Sequence, residues 1–288
     1  MGGSTVFTDT VKFEQSHARI LESLLVRHYP PYKIEVQNAG VPWHTSHETL
    51  IKLLTQVQDF DPDLLIVWQG INDLIRGFEP DRFSLGHFQE DYSHFYGSLK
   101  GMIDVYTQRY SSLFNVQVPL LFTLKNKFKE TWTSDFSPKV LSVSVAEEGF
   151  RSLGAFRRNM ENIIRNAKLQ KSRLILASQP ALYHDGMSAA EKEKIFLDEL
   201  FMVENGRKPD ISSLSRGIEL FNQVSQSLAE KHGVDFIDLA AIVPKQSEYF
   251  LDDVHYTKAG NRIIGETLAD YIIIQRIVED RMGANLSE

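Results

Sequence analysis

The run Asp63-Leu64-Leu65-Ile66-Val67-Trp68-Gln69, closed by Asp61-Pro62 on one side and Gly70 on the other, constrains the fold more than any other stretch. An unbroken apolar segment of this length, with helical patterning before and after it, reads as a strand buried on both faces, as found in parallel sheets covered by helices. A second such run, Arg173-Leu174-Ile175-Leu176-Ala177-Ser178, ends at Gln179-Pro180, and a third is Val234-Asp235-Phe236-Ile237-Asp238. The alternating segment Lys33-Ile34-Glu35-Val36-Gln37-Asn38 leads into the turn Ala39-Gly40-Val41-Pro42 and reads as a further strand. Periodic apolar positions predict helices over residues 14–29, 44–60, 91–110, 146–170, 214–232 and 257–280. Strands alternating with helices predict an α/β fold, a three-layer α/β/α sandwich with a mostly parallel central sheet, in one domain over residues 1–288.

Other stretches are less regular. A polar loop is predicted up to residue 90. Within residues 112–145, the segment Val116 to Phe122 reads as a strand or an apolar loop, and the basic cluster Lys125 to Lys129 as a solvated face. The polar segment 183–213, with a helix at 189–203, reads as an excursion over the strand ends, expected to act as a mobile cover that shapes substrate access. A chain of 288 residues with 42% hydrophobic content is long enough for one large core. The formal charge of -7, without a Lys/Arg block, argues against nucleic-acid or anionic-lipid partners. The absence of cysteine excludes disulfides, thiolate zinc sites and a Cys nucleophile. No apolar run reaches the ~18 residues of a membrane span, and no basic-then-apolar leader opens the chain. The expectation is a soluble protein, cytoplasmic, or exported if an upstream leader has been lost, with its oligomeric state left open.

In open parallel sheets, function gathers at the carboxyl ends of the strands. The residues that follow the predicted strands are Asn38-Ala39-Gly40, Gly70-Ile71-Asn72-Asp73, Gln179-Pro180 and Asp252-Asp253-Val254-His255, with Gly3-Ser4-Thr5 at the start of the chain. An Asp three residues ahead of a His, at the entry to a helix, can hold the imidazole Nδ1–H and leave Nε2 free to take a proton from a hydroxyl. Together these ends supply a hydroxyl nucleophile, a close-approach glycine, an amide donor and an oriented base, the parts of an acyl-transfer site. Asp253 reads as a solvent or helix-capping carboxylate, and Asp73 as structural, bonding loop amides. His44 and His47, with Glu48 nearby, lack the further ligands of a metal site. Trp43, beside Gly40, belongs to the core or lines a pocket. Ser178 is a rival hydroxyl without a tight glycine turn. No cofactor or metal is implied.

These blocks, in this order and over nearly the whole chain, resemble the SGNH hydrolase superfamily, also called the GDSL esterase/lipase family. The resemblance implies a flavodoxin-like SGNH fold, with Ser4 as nucleophile, His255 as general base and Asp252 as its orienter. It implies an oxyanion hole from the N–H groups of Ser4 and Gly40 and the side-chain amide of Asn72. The first block reads Gly2-Gly3-Ser4-Thr5 in place of Gly-Asp-Ser-Leu, and Met1 stands where the family's first strand belongs. That strand is expected to be truncated, through a fragment, a misplaced start or a linker. The implied activity is a serine esterase acting on small oxygen esters, carbohydrate O-acetyl groups among them. The alternatives are an O-acyltransferase to a sugar hydroxyl and a non-catalytic carbohydrate-binding member of the fold.

Overall fold

The structure, a computed structural model, describes residues 1–8, 10–78, 83–85, 90–92, 142–146, 149–197 and 208–285. Its central sheet is parallel, in the order β1 (Leu64–Val67), β2 (Arg173–Ala177), β3 (Asp235–Ile237). Ile66 pairs with Ile175, and Leu176 with Phe236. In β2, Leu174, Ile175, Leu176 and Ala177 are all buried, which is why its sequence is apolar without alternation.

On the free side of β1, the Trp68 N–H donates to the Met1 carbonyl at 3.3 Å. Gly2 bridges Gly40 in parallel, with the Val41 N–H donating to the Gly2 carbonyl at 3.0 Å. Met1 and Gly2 therefore lie between β1 and the segment ending at Gly40. The strand predicted at 33–38 forms no ladder. It keeps a strand's alternation, with Ile34 and Val36 against the core and Lys33, Glu35 and Gln37 exposed, but the neighbour it would pair with spans only two residues.

The helices in chain order are α1 (Ser4–Phe7), α2 (His17–His28), α3 (Ser46–Thr55), α4 (Ile71–Phe78), α5 (Leu153–Leu169), α6 (Ile211–His232) and α7 (Lys258–Ile274). Their ends follow local chemistry. Ser16 caps α2, Thr45 and Glu48 form a reciprocal capping box on α3, Asp210 opens α6, and left-handed Gly233 (φ 60°) closes it. α5 packs against both α3 and α6, and α2 packs on α7.

Four expectations change. A polar loop was expected where α4 stands; Asp73 and Arg76 interrupt its apolar pattern, yet both are buried, and Arg76 pairs with Glu48 at 3.1 Å. Glu90–Tyr92 pairs antiparallel with Phe83–Leu85 rather than entering a helix at 91. The helix predicted at 189–203 is helical over Ala189–Lys192 and interrupted before Leu197, while residues 198–203 lie outside the described residues. The final helix breaks at Arg276 (φ 52°), after which Ile277–Asn285 forms a separate helix. The rest of the 91–110 helix, the segment Val116 to Phe122 and the cluster Lys125 to Lys129 lie outside the described residues.

α7 leads directly out of the His255 loop, so its seat on α2 sets the height of that loop. The seat depends on Gly265, where a Cβ would come within 2.8 Å of the Ile20 side chain and 2.9 Å of the His17 carbonyl. Gly265→Ala is expected to destabilise the fold by roughly 1–3 kcal/mol, because a backbone carbonyl has little room to yield. A lower urea midpoint with an unchanged slope is the expected signature; an unchanged midpoint would show that the crossing tolerates a methyl group.

Candidate active site

Ser4 is the first residue of α1, immediately after Gly2 bridges Gly40. The helix lasts one turn and closes on Thr8, whose left-handed backbone (φ 57°) returns its N–H to the Ser4 carbonyl at 3.1 Å. Two glycines make the entry possible. A Cβ on Gly2 would lie 2.4 Å from the Trp68 carbonyl, and one on Gly3 would lie 2.4 Å from Asn72 Nδ2. At position 3 a side chain would displace the Asn72 amide from the place it holds beside Ser4.

Beneath α1 lies a buried polar floor. The Thr5 hydroxyl donates to Gln179 Oε1 at 3.2 Å, and Gln179 Nε2 donates to the Tyr256 hydroxyl at 3.1 Å. Asn222 holds the Gln179 backbone from both sides, accepting from its N–H at 2.7 Å and donating to its carbonyl at 3.1 Å. Gln179, at the end of β2, therefore ties α1 to the residue that follows His255. Thr5, Gln179, Tyr256 and Asn222 are linked by these bonds, which is what makes such a floor rigid.

The histidine arrives on a tight loop. Phe250 bridges Tyr256 antiparallel, and the Leu251 N–H donates to the His255 carbonyl at 2.8 Å. Within this loop, Asp252 Oδ1 accepts from the N–H groups of Val254 (2.9 Å) and His255 (2.7 Å), while Oδ2 accepts from His255 Nδ1 at 2.7 Å. With Nδ1 protonated, Nε2 is left to accept from the Ser4 hydroxyl at 2.8 Å. Ser4, Asp252 and His255, expected together from the sequence, are brought together. The His255 and Asp252 side chains keep 16% and 25% exposure, so the site is open to a ligand from solvent.

Asn72 is buried at the start of α4, with Nδ2 donating to the His44 carbonyl at 2.9 Å beside Gly3. One amide hydrogen is spent on that anchor and the second remains for a ligand. Asp73, next in sequence, accepts from the Ser46 N–H with both oxygens, at 3.1 and 3.0 Å, and from the Ser46 hydroxyl at 2.5 Å. It fastens the start of α3 to α4.

Gly40 departs from its expected role. Its N–H donates to Asn38 Oδ1 at 2.9 Å, while Asn38 Nδ2 donates to the Val6 carbonyl at 2.7 Å. The glycine is explained by packing, since a Cβ there would come within 2.5 Å of the Phe7 nitrogen. Gly40 supports α1 from behind. Trp43 is half-buried with φ 66°, a left-handed backbone uncommon for a non-glycine residue and found more often at functional sites.

Ser178, the rival hydroxyl, donates to Asp238 Oδ1 at 2.6 Å and accepts from the Ala240 N–H at 2.8 Å, away from the His255 loop. His44 is half-buried and its imidazole is held below the usual range by burial. Among the described residues, no cluster of three His, Asp or Glu side chains is arranged to hold a metal ion. Asp253 is the clearest correction. Expected as a solvent or capping carboxylate, it is completely buried, and its Oδ2 accepts from the Tyr183 hydroxyl at 2.8 Å and the Leu197 N–H at 3.1 Å. Phe196, which no motif singles out, has its ring near-parallel to His255, at 6.5 Å between centroids and 27° between planes.

The architecture is shared with solved structures of low sequence identity. The acetyl xylan esterase AlAXEase is 12% identical, the match covering 94% of this chain and 96% of that one with a TM-score of 0.52. Axe2, an acetylxylan esterase from Geobacillus stearothermophilus, is 14% identical over 94% and 91% of the two chains, with a TM-score of 0.53. LAE5, an alpha/beta hydrolase enzyme from the metagenome of Lake Arreo, Spain, is 12% identical over 93% and 90%, with a TM-score of 0.51. These likenesses show a shared fold. No curated protein matches the chain in sequence. The GDSL-like Lipase/Acylhydrolase family matches residues 2–263, and the chain belongs to that family. It is an ester-bond hydrolase. Among the described residues, no helix is long and apolar enough to cross a membrane.

Desolvation pushes the Asp253 carboxyl up to about 7. In the unfolded chain it titrates near ~3.9. The native state therefore holds an extra proton between these values, so the group's contribution to stability is fully present below about pH 4 and is lost as pH rises through 7. Asp253→Asn removes this dependence. The stability advantage of the wild type over Asp253→Asn is expected to shrink from pH 4 to pH 7 in urea titrations, and a constant difference would show that the carboxyl titrates normally.

Proposed function

We propose that this protein hydrolyses small oxygen esters, with O-acetyl groups on carbohydrates as the substrate class, through a covalent acyl-enzyme on Ser4. The observation that carries this reading is the unbroken relay from Asp252 Oδ2 to His255 Nδ1 at 2.7 Å and from His255 Nε2 to Ser4 Oγ at 2.8 Å. A serine hydroxyl is a weak nucleophile at neutral pH. His255 takes its proton as Oγ attacks the ester carbonyl, and Asp252 holds the tautomer that permits this and stabilises the imidazolium that forms. The oxyanion that develops faces the Ser4 N–H, which lies ahead of the first intrahelical hydrogen bond, and the remaining hydrogen of Asn72 Nδ2. The imidazolium returns the proton to the departing alcohol, and a water activated by the same base releases the acid. Gly40, whose N–H is engaged by Asn38, supports α1 rather than serving as a donor.

The sugar-ester assignment is supported by the acetylxylan esterases that share the fold, and by an acidic chain with no evident surface for polyanions. Transfer to a sugar hydroxyl proceeds from the same acyl-enzyme and differs only in the acceptor, so product analysis with and without a sugar acceptor separates the two.

Release of p-nitrophenol from its acetate and butyrate esters, and of acetate from acetylated xylo-oligosaccharides, tests the reading. Ser4→Ala and His255→Ala are each expected to lower kcat by ~10³-fold or more, because members of a triad act as a unit. Asn72→Ala is expected to lower kcat by about 10²- to 10³-fold with little change in KM, the mark of a donor used in the transition state. Retention of wild-type activity by Ser4→Ala would refute the assignment.

A further inference from the structure

Of the segment 183–213 expected to be a mobile cover, the stretch described up to Leu197 is fastened to the His255 loop at both its ends, and residues 198–207 lie outside the described residues. At one end, the Tyr183 hydroxyl donates to Asp253 Oδ2 at 2.8 Å and the Leu182 N–H donates to the Asp253 carbonyl at 2.9 Å. At the other, the Leu197 N–H donates to the same Oδ2 at 3.1 Å. Two lysines add to this. Lys194 Nζ donates to the Phe250 carbonyl at 2.6 Å and the Ser247 carbonyl at 2.8 Å, and Lys245 Nζ donates to the Tyr183 carbonyl at 3.0 Å. Ile195 and Leu197 are buried, and Phe196 between them is half-buried, its ring stacked on His255.

The two hydrogen bonds of His255, at Nδ1 and Nε2, lie in the plane of the imidazole. They fix where its edge sits, but they resist poorly a tilt of the ring about the line joining Asp252 to Ser4. A flat aromatic neighbour set against the face resists that tilt, and near-parallel offset ring pairs at this separation are attractive.

We propose that Asp253 is a positioning residue: by fixing Leu197 and Tyr183 to the catalytic loop, its carboxyl group seats the Phe196 ring against the face of His255 and so holds the base in line with Ser4. Asp252 orients the imidazole from its edge, and Asp253 orients it from its face through Phe196. This rests on the reading of His255 as the general base.

The test measures kcat and KM on p-nitrophenyl acetate, together with the rate at which a fluorophosphonate labels Ser4, which needs the base but little ester recognition. Phe196→Ala is expected to lower kcat and the labelling rate by about 10-fold with KM within about twofold, since small misalignments of a base are costly to rate and not to binding. Phe196→Tyr, which keeps the ring, is expected to stay within about twofold of the wild type. Asp253→Ala, which removes the acceptor of both bonds, is expected to match Phe196→Ala, and the double variant to lose about 10-fold rather than the ~100-fold of independent effects, because one residue acts through the other. If Asp253→Ala fails to fold, Tyr183→Phe, which removes one of the two bonds to Oδ2 and keeps the ring, takes its place in the same cycle. An unchanged kcat in Phe196→Ala, or losses that multiply in the double variant, would overturn the proposal. Activity retained in His255→Ala would remove the base itself and the proposal with it, whereas an inactive His255→Ala beside a fully active Phe196→Ala would sink this inference alone.

Discussion

A hydrogen bond of 2.8 Å joins Ser4 to His255, residues separated by 251 positions in the chain. Contacts of that span are costly in chain entropy unless the fold brings the two ends together for other reasons. The parallel sheet does so. β1, β2 and β3 run in one direction, so the segments leaving their carboxyl ends emerge on a single edge, and Met1 and Gly2, set beside β1, deliver Ser4 to that same edge. Everything at the site depends on this shared edge.

Close approach at that edge is obtained by leaving atoms out. Gly2, Gly3 and Gly40 each lie where a methyl group would collide with backbone or with Asn72, and the space saved lets α1 nest between Gly40 and the Asn72 amide. Behind the glycines, polar side chains take over. Thr5, Gln179, Tyr256 and Asn222 form one connected network under α1, and Asp73 with Ser46 forms another under Asn72. The working groups rest on satisfied hydrogen bonds rather than on apolar packing alone, a support with directional preferences that dispersion lacks.

The sheet was legible in the sequence because strands buried on both faces have no option but continuous apolar runs, and residues 63–69 and 173–178 are such runs. Asp252 and His255 were legible because their relationship is local, closed by a spacing of three residues. Legibility fails where a residue's surroundings are remote. α4 was missed because Asp73 and Arg76 look like solvent-facing residues until Ser46 and Glu48, far away in sequence, bury and pair them. The strand expected at 33–38 has the right pattern of exposure and forms no ladder with the described residues. Gly40 was assigned by motif, and the side chain of Asn38, two residues before it, takes its N–H. Asp253 is one position from Asp252 and of the same type, but its partners are 70 and 56 residues away, so nothing nearby marks it as dry.

Two successive carboxylates thus face opposite ways from one stretch of backbone, one quarter-exposed and in touch with the imidazole, the other sealed inside. Each is held by its own partners, one local and the others remote, so a change of one residue in loop length would put both out of register with them. The loop is therefore poorly suited to drift in length, and it is a poor module for transplantation by itself. A graft that carried residues 252–255 without residues 182–197 would bring along a charge with no interior to receive it.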